Sequence, residues 1–551
     1  MNAINTIKRI FLAGRFVVAG VLMPVTVAGS VTDTTSLPLF VIDTRGKIIQ
    51  DEPKTDVFLK IVFHGQGNIN SSDDPGNVYE GNIGIEYRGR YSQTFPQKPY
   101  LFETRNASGE NLNVPLLGFP PENDWILIPS YNDKTFLRNE LAFRIFRQMG
   151  HYAPRSTLCE VVLNGDYQGI YLFCEKIKVD KNRVSIAKLD ADDNAGDSLT
   201  GGYIFKQDYY DASNSWMSLY PALDRPGSSV YFVYEYPGPE AITWQQKQYL
   251  RSFVYAFEKA LYGKEFADPF KGYRPYIDMG SFIDYFIVGE LSRNIDAYKK
   301  SCYYYKDRDS RDGRLHAGPV WDFDWAWKNI DECDIFRATD GSGWAYQVNT
   351  CGNWPVAVTW MERLLQDKHF ADELHTRYVN LRKTVLSEKA LFGYIDSVSA
   401  RIDYAQNRHY VRWPILGINV GTPEVDPQPD SYEGVLEQFK DWIRKRLAWL
   451  DQNMPGQYSE STGDSLPDKG SLQIYPNPVT DKISIQIDQP AKSIEIYSVT
   501  GVLWKTVFEP GGENVYQTEI GYLPAGIYII RIRTSSGTVV TGKFVKVQST
   551  L

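Results

Sequence analysis

Three aspartates near the middle of the chain carry the clearest chemical potential in the sequence. Asp296 closes the run Arg293-Asn294-Ile295-Asp296, and Asp322 and Asp324 flank Phe323 in Trp321-Asp322-Phe323-Asp324. Phosphoryl transfer needs such a set: carboxylates that hold Mg2+ and a separate acid that orients the acceptor hydroxyl, with little covalent work by the protein. Spacing alone leaves a second reading open, because aspartates between aromatic residues also act as buried caps and turn formers.

The elements around these residues have to bring them together. A helix over Ser281–Leu291 leads into Arg293. A strand pair, Ser301–Lys306 and Arg314–Ala317, then brackets a turn at Asp307–Gly313, and the acid pair follows. The turn looks like a calcium loop but lacks the bidentate acid such a loop needs later on. Upstream, Val57–Val62 and Asn82–Tyr87 are β-favouring runs on either side of a polar loop, Gly67–Gly81. Leu137, Leu141, Ile145 and Met149 recur four apart and predict a helix over Asp133–Met149, capped by Asp133 and ended by Gly150. A hairpin over Leu158–Leu163 and Gly169–Glu175, a helix at Ile242–Leu261, and a largely helical stretch from Trp354 to Asn453 complete this region. The fold class predicted is α+β, rich in strands to about residue 130 and mixed and helical beyond it.

The ends of the chain read differently. Lys8, Arg9 and Arg15 precede a short apolar run, Phe16 to Ala28, and small residues follow, so residues 1–29 read as a signal peptide rather than a membrane span. No later segment is apolar enough to span a bilayer. Residues 454–470 have a linker composition, and short alternating strands in 471–551 predict a small β-sandwich. A net charge of -8 argues against nucleic acid as a partner. The five cysteines show no zinc spacing, and no hydrolase nucleophile or metal motif occurs. An odd count leaves at least one cysteine unpaired. If the hairpin closes with Asn164 opposite Gly169, Cys159 faces Cys174, either as a disulfide or as two packed thiols.

Two resemblances add to this reading. Ile474-Tyr475-Pro476-Asn477-Pro478, Ile496–Gly501, Leu523–Tyr528 and Lys543–Val547 together resemble the type A sorting domain of the type IX secretion system. That resemblance implies export through the periplasm to the cell surface or medium, with the type IX secretion machinery as a partner. A second set recurs in order over residues 37–453: Gly84–Gly89 running to Phe95-Pro96-Gln97-Lys98; Asp133–Asn139; Leu163–Tyr171 with Glu175-Lys176; Gly201-Gly202-Tyr203; Arg293–Asp296; and Trp321–Asp324. This set resembles the spore coat protein H (CotH) kinase family.

The CotH resemblance implies an atypical protein-kinase-like fold and transfer of the ATP γ-phosphoryl group to protein hydroxyls with Mg2+. Its catalytic acid, Asp296, and its metal pair lie in the order in which protein kinases present theirs, an analogy of topology. Carried over by motif, Asp322 is the chief metal ligand, with Asp324 and Asn294 assisting. Lys98 is the cation for the nucleotide phosphates, Glu175 its ion-pair partner, and Arg138 and Lys206 are further basic candidates. Two departures stand out: Arg90-Tyr91 where the family carries small residues after Arg-Gly, and Gln97 where it carries a lysine. Tyr91 is expected to narrow the phosphate cradle. The alternative to a kinase is a non-catalytic surface protein that binds partners on the same scaffold; the protein substrate of a kinase is not legible in the sequence.

Overall fold

The structure is a computed structural model that describes residues 34–352, 354–458, 472–487, 490–498, 503–508, 515–534 and 539–547. The expected signal peptide and most of the expected linker lie outside the described residues.

Seven strands close into a barrel in the order Leu39–Asp43, Thr55–Val62, Tyr79–Tyr87, Tyr100–Thr104, Asp124–Pro129, Asp166–Glu175 and Ser156–Leu163. Closure comes from a parallel pairing of Leu39–Ile42 with Glu160–Leu163. Alternate residues point inward, and Phe40, Leu59, Ile83, Phe102, Trp125, Val161 and Phe173 pack as one apolar interior. The strand-rich region therefore extends past residue 130 to Glu175, because the last hairpin supplies two barrel staves.

That hairpin also corrects the cysteine register. Asn164 and Gly165 both take positive φ (53° and 80°), forming the tight two-residue turn that suits strand twist. Leu163 thus pairs with Asp166, and Val162 with Tyr167. Val161 pairs with Gly169, which leaves Gln168 as an extra residue in the ladder. Cys159 consequently faces Tyr171 and Cys174 faces Ser156. The two thiols lie on opposite faces of the sheet, both buried and free. The disulfide present joins Cys333 to Cys351.

After the barrel, a five-stranded sheet runs Ser215–Met217, Tyr231–Tyr236, Tyr203–Gln207, Cys302–Lys306 and Leu315–Ala317. Gly201 enters it beside the 307–308 turn; a Cβ there would lie 1.9 Å from the Arg308 amide nitrogen, so no larger residue fits. The helix Met279–Ser292 is buried from Ser281 onward and forms the axis of the molecule's larger core, surrounded by helices Arg138–Gln148, Lys368–Arg382 and Tyr432–Asn453. The predicted apolar ladder of the first of these holds: Leu137, Leu141, Ile145 and Met149 are all buried. Among the described residues no helix is long and apolar enough to cross a membrane.

The C-terminal strands form two sheets. One holds Gln473–Tyr475, Lys482–Gln486 and Val515–Glu519; the other holds Leu503–Phe508, Ala491–Ser498, Gly526–Thr534 and Val539–Lys546. Ile483 and Ile485 from the first pack with Ile494, Ile496, Ile530 and Ile532 from the second, as in a small sandwich.

Candidate active site

The helix Met279–Ser292 ends because Arg293 turns left-handed (φ 43°), and its N–H closes back on the last turn. The chain then loops through Asn294–Ser301 into the central strand Cys302–Lys306. Asn294 organises that loop. Its Oδ1 accepts the Asp296 N–H at 3.1 Å, and its Nδ2 donates to the Asp322 carbonyl at 3.1 Å. One amide therefore fixes Asp296 against the backbone of Asp322. With both ends of its side chain engaged, Asn294 positions the site.

Asp322 also has a left-handed backbone (φ 70°), a conformation that costs a non-glycine residue of order 1–3 kcal/mol and concentrates at functional sites. The helix Arg138–Gln148 pins this segment. The Asn139 side chain accepts the Phe323 N–H at 2.7 Å, and Arg138 Nε donates to the Ala326 carbonyl at 2.8 Å. Arg138 is itself held by Asp133 at 2.6 Å and lies over the Phe439 ring. Asp133 accepts the Arg138 N–H at 2.8 Å, so it serves the start of a helix that begins five residues later than predicted from its position. Arg138 thus acts as a strut and does not line the cleft that holds the aspartates.

These supports place Asp296, Asp322 and Asp324 on one cleft of about 1100 Å³. Asn132 donates to Asp324 Oδ2 at 2.8 Å, and Ser301 donates to Asp322 Oδ2 at 3.2 Å. Burial, together with the neighbouring Asp324 carboxylate, pushes the Asp322 carboxyl up to about 7. Two carboxylates held this close favour a cation between them, since like charges cannot both ionise freely there. Asp296 is buried, with Lys300 Nζ at 3.0 Å and Lys299 Nζ at 3.7 Å. Burial raises its carboxyl, and the two lysines oppose that rise. Burial lowers Lys299, whereas the attraction of Asp296 overrides burial at Lys300 and raises it.

The cleft also carries basic and aromatic side chains. Arg88 lies over the Trp321 ring at 5.1 Å, and Trp321 in turn stacks on Phe143 at 5.6 Å. Lys206 reaches the cleft from the five-stranded sheet, 3.0 Å from Glu235 and 3.6 Å from Asp208. Tyr91 stands at the cleft, its hydroxyl donating to the Gly421 carbonyl at 2.9 Å and its ring edge-on to Trp325 at 6.0 Å.

Lys98 and Glu175 are not brought together. Lys98 Nζ donates to the Gln93 carbonyl at 2.7 Å, and the residue does not line the cleft. Glu175 is buried against Arg155 at 2.7 Å, with Tyr152 and Arg183 nearby. The ion pair expected between them is replaced by Arg155–Glu175, because Glu175 ends a barrel strand beside Arg155, the residue just before the paired strand Ser156–Leu163. Sequence reasoning passed over Lys299 and Lys300, although both follow Asp296 at helical spacing. It also passed over Asn132, Arg88 and Ser301. Asn132 had no local signal, since it acts across the fold.

Mg2+ fits this donor set: it binds through one or two carboxylates and completes its shell with water and phosphate oxygens. Among the described residues no group of three or more histidine, cysteine or acidic side chains is arranged to hold a metal by itself.

Comparison with known proteins gives two family matches. A secretion system C-terminal sorting domain covers residues 473–547, which marks the chain for export to the cell surface or extracellular space and implies the type IX secretion machinery as its carrier. No curated protein matches the chain. The CotH kinase protein model matches residues 85–450, about two thirds of the sequence and the whole of the cleft described above, and the chain belongs to the CotH kinase protein family.

Proposed function

We propose that this exported protein is an atypical kinase that transfers the γ-phosphoryl group of ATP to a protein hydroxyl with Mg2+. The observation that carries the reading is the convergence of a buried, lysine-flanked Asp296 with the Asp322–Asp324 pair in one cleft. The order in the chain supports it: helix, acid, strand hairpin, acid pair, as in protein kinases. Mg2+ would be held by Asp322 and Asp324 and would neutralise charge on the phosphates. Asp296 orients the acceptor hydroxyl and takes its proton, and Lys300 keeps that carboxylate charged until then. Arg88 and Lys206 replace Lys98 as the cations facing the phosphates, because they line the cleft and Lys98 does not. Trp321, braced from below by Phe143, offers an aromatic face beside them.

The test is Mg2+-dependent ATP binding and transfer to a generic protein acceptor, comparing wild type with Asp322→Ala and Asp296→Asn. Asp322→Ala should lose both nucleotide binding and transfer. Asp296→Asn should lose transfer while still binding Mg2+ and ATP. Absence of Mg2+-dependent ATP binding by the wild type would refute the kinase and leave a non-catalytic binding protein on the same scaffold.

A further inference from the structure

The segment from Cys333 to Cys351 has little regular structure of its own: one turn of helix at Asp334–Arg337 and a kinked 3-10 stretch at Ala345–Cys351. It is nevertheless the scaffold against which the catalytic loop is set. Arg293, the residue that ends the buried helix and begins the Arg293–Asp296 run, divides its guanidinium between the Asn329 side chain, at 2.5 Å, and this segment. It donates to the carbonyls of Ser342 at 2.6 Å, Ala338 at 3.0 Å and Phe336 at 3.2 Å. The helix's last turn is tied down as well, since Glu290 accepts the N–H groups of Ala345 and Tyr346, each at 2.8 Å. Arg446 completes the clamp by bonding the carbonyls of Gly341 and Gly343 at 2.7 Å and that of Glu290 at 2.7 Å. Glu332, next to Cys333, and Trp354, just beyond Cys351, both line the cleft.

The disulfide closes the base of this segment, and both its cysteines are only partly buried. A cross-link of this kind stabilises by removing conformations from the open loop. Without it, a mostly irregular segment has only the Arg446 and Glu290 contacts to hold its carbonyls in register for Arg293. The chain carries an export domain, so it passes from a reducing compartment to an oxidising one.

We propose that the Cys333–Cys351 bond is a positioning device that sets Asp296 for catalysis and forms only on export, so that the enzyme is held at low activity inside the cell. The inference rests on the phosphoryl-transfer reading for its effect on rate, and on the geometry alone for its effect on the loop. Formation joins the two sulfurs and releases two protons and two electrons. The electrons and protons pass to the disulfide of an extracytoplasmic thiol oxidoreductase by thiol–disulfide exchange, leaving it as a dithiol.

The experiment uses the full chain, oxidised or reduced with dithiothreitol, and a Cys333→Ser/Cys351→Ser variant. Two quantities are followed: amide hydrogen exchange over residues 293–301, and steady-state transfer. Reduction should speed exchange in the 293–301 loop and lower kcat by about 10²-fold, with the KM for ATP nearly unchanged, because misplacing a catalytic group by an ångström has that order of effect. The double variant should behave like the reduced chain and ignore dithiothreitol. A role in bulk stability alone would spread faster exchange over the whole core and shift kcat and KM together, which would overturn the proposal. Unchanged exchange at 293–301 on reduction would overturn it too, whatever the activity. Faster exchange confined to that loop in a protein that transfers no phosphate would refute the kinase reading and leave the positioning role standing.

Discussion

Asp322→Asn tests the electrostatics of the site without touching its shape. The Asp322 backbone is left-handed, and asparagine tolerates that region better than other side chains do. The substitution therefore removes a charge at little conformational cost. In the wild type the carboxyl moves from an ordinary 3.8 to about 7, because it is buried and faces Asp324. The folded state thus binds a proton more tightly than the unfolded chain does. Stability is unaffected where both forms are protonated, falls as the pH rises above the unfolded value, and levels off above the folded one. The loss is at most about 4 kcal/mol for a displacement of that size. Asp322→Asn escapes it, so the variant should match the wild type near about pH 4 and exceed it by about 2–4 kcal/mol near about pH 8. Asp322→Ala should gain less, because alanine pays about 1–2 kcal/mol for the left-handed backbone. Denaturant unfolding followed by tryptophan fluorescence reads this region, as all the tryptophans except Trp504 precede the sorting domain. Adding Mg2+ should stabilise the wild type and leave the asparagine variant unmoved, with the wild-type effect strengthening as the pH rises through about 7, since metal and proton compete for the same oxygens. An asparagine variant less stable than the wild type at high pH would refute the account of Asp322 as a strained, cation-seeking carboxyl.

Two further outcomes follow from the supports and the tail. Asn132→Ala removes the amide that orients Asp324 and should weaken Mg2+ binding by about 10–100-fold, measured by calorimetry, while the fold persists. Deleting residues 470–551 should stop export without lowering transfer by the purified remainder; cell fractionation would show the truncated chain retained, and its arrival at the surface would contradict the sorting role.

Elements governed by local patterning were legible in the sequence. The helix Arg138–Gln148 follows its apolar spacing, the strand pair around Asp307–Gly313 forms where turn residues placed it, and the alternating runs at 482–487, 493–497, 526–533 and 539–547 are strands, while Gln473–Tyr475, Leu503–Phe508 and Val515–Glu519 were not marked. Asp296, Asp322 and Asp324 meet because both flanking elements were readable: a helix that stops at Arg293 and a hairpin that returns the chain. What escaped was set by long-range geometry. Closure of the barrel depends on a parallel pairing between strands far apart in sequence, and the cysteine register depended on an extra residue, Gln168, that no propensity marks. Lys98 and Glu175 were paired by analogy with kinases, but the barrel hands each a different partner.

The departure at Gln97 shows how sequence and structure correct each other. A glutamine where the family resemblance implies a lysine reads at first as a weakened phosphate site. In the fold Gln97 is fully buried and away from the cleft. Its Nε2 donates to the carbonyls of Gln168 at 3.0 Å and Ile170 at 2.9 Å, and its Oε1 accepts the Ser130 N–H at 3.0 Å. Lysine has no acceptor and could not satisfy Ser130, and a buried ammonium would need a counter-charge that these backbone groups do not supply. The bulge at Gln168 is what presents one of those carbonyls, so Gln97 and the irregular hairpin form a single arrangement. The substitution is therefore a feature of barrel packing, and it leaves the cations of the cleft, Arg88, Lys206, Lys299 and Lys300, where the chemistry needs them.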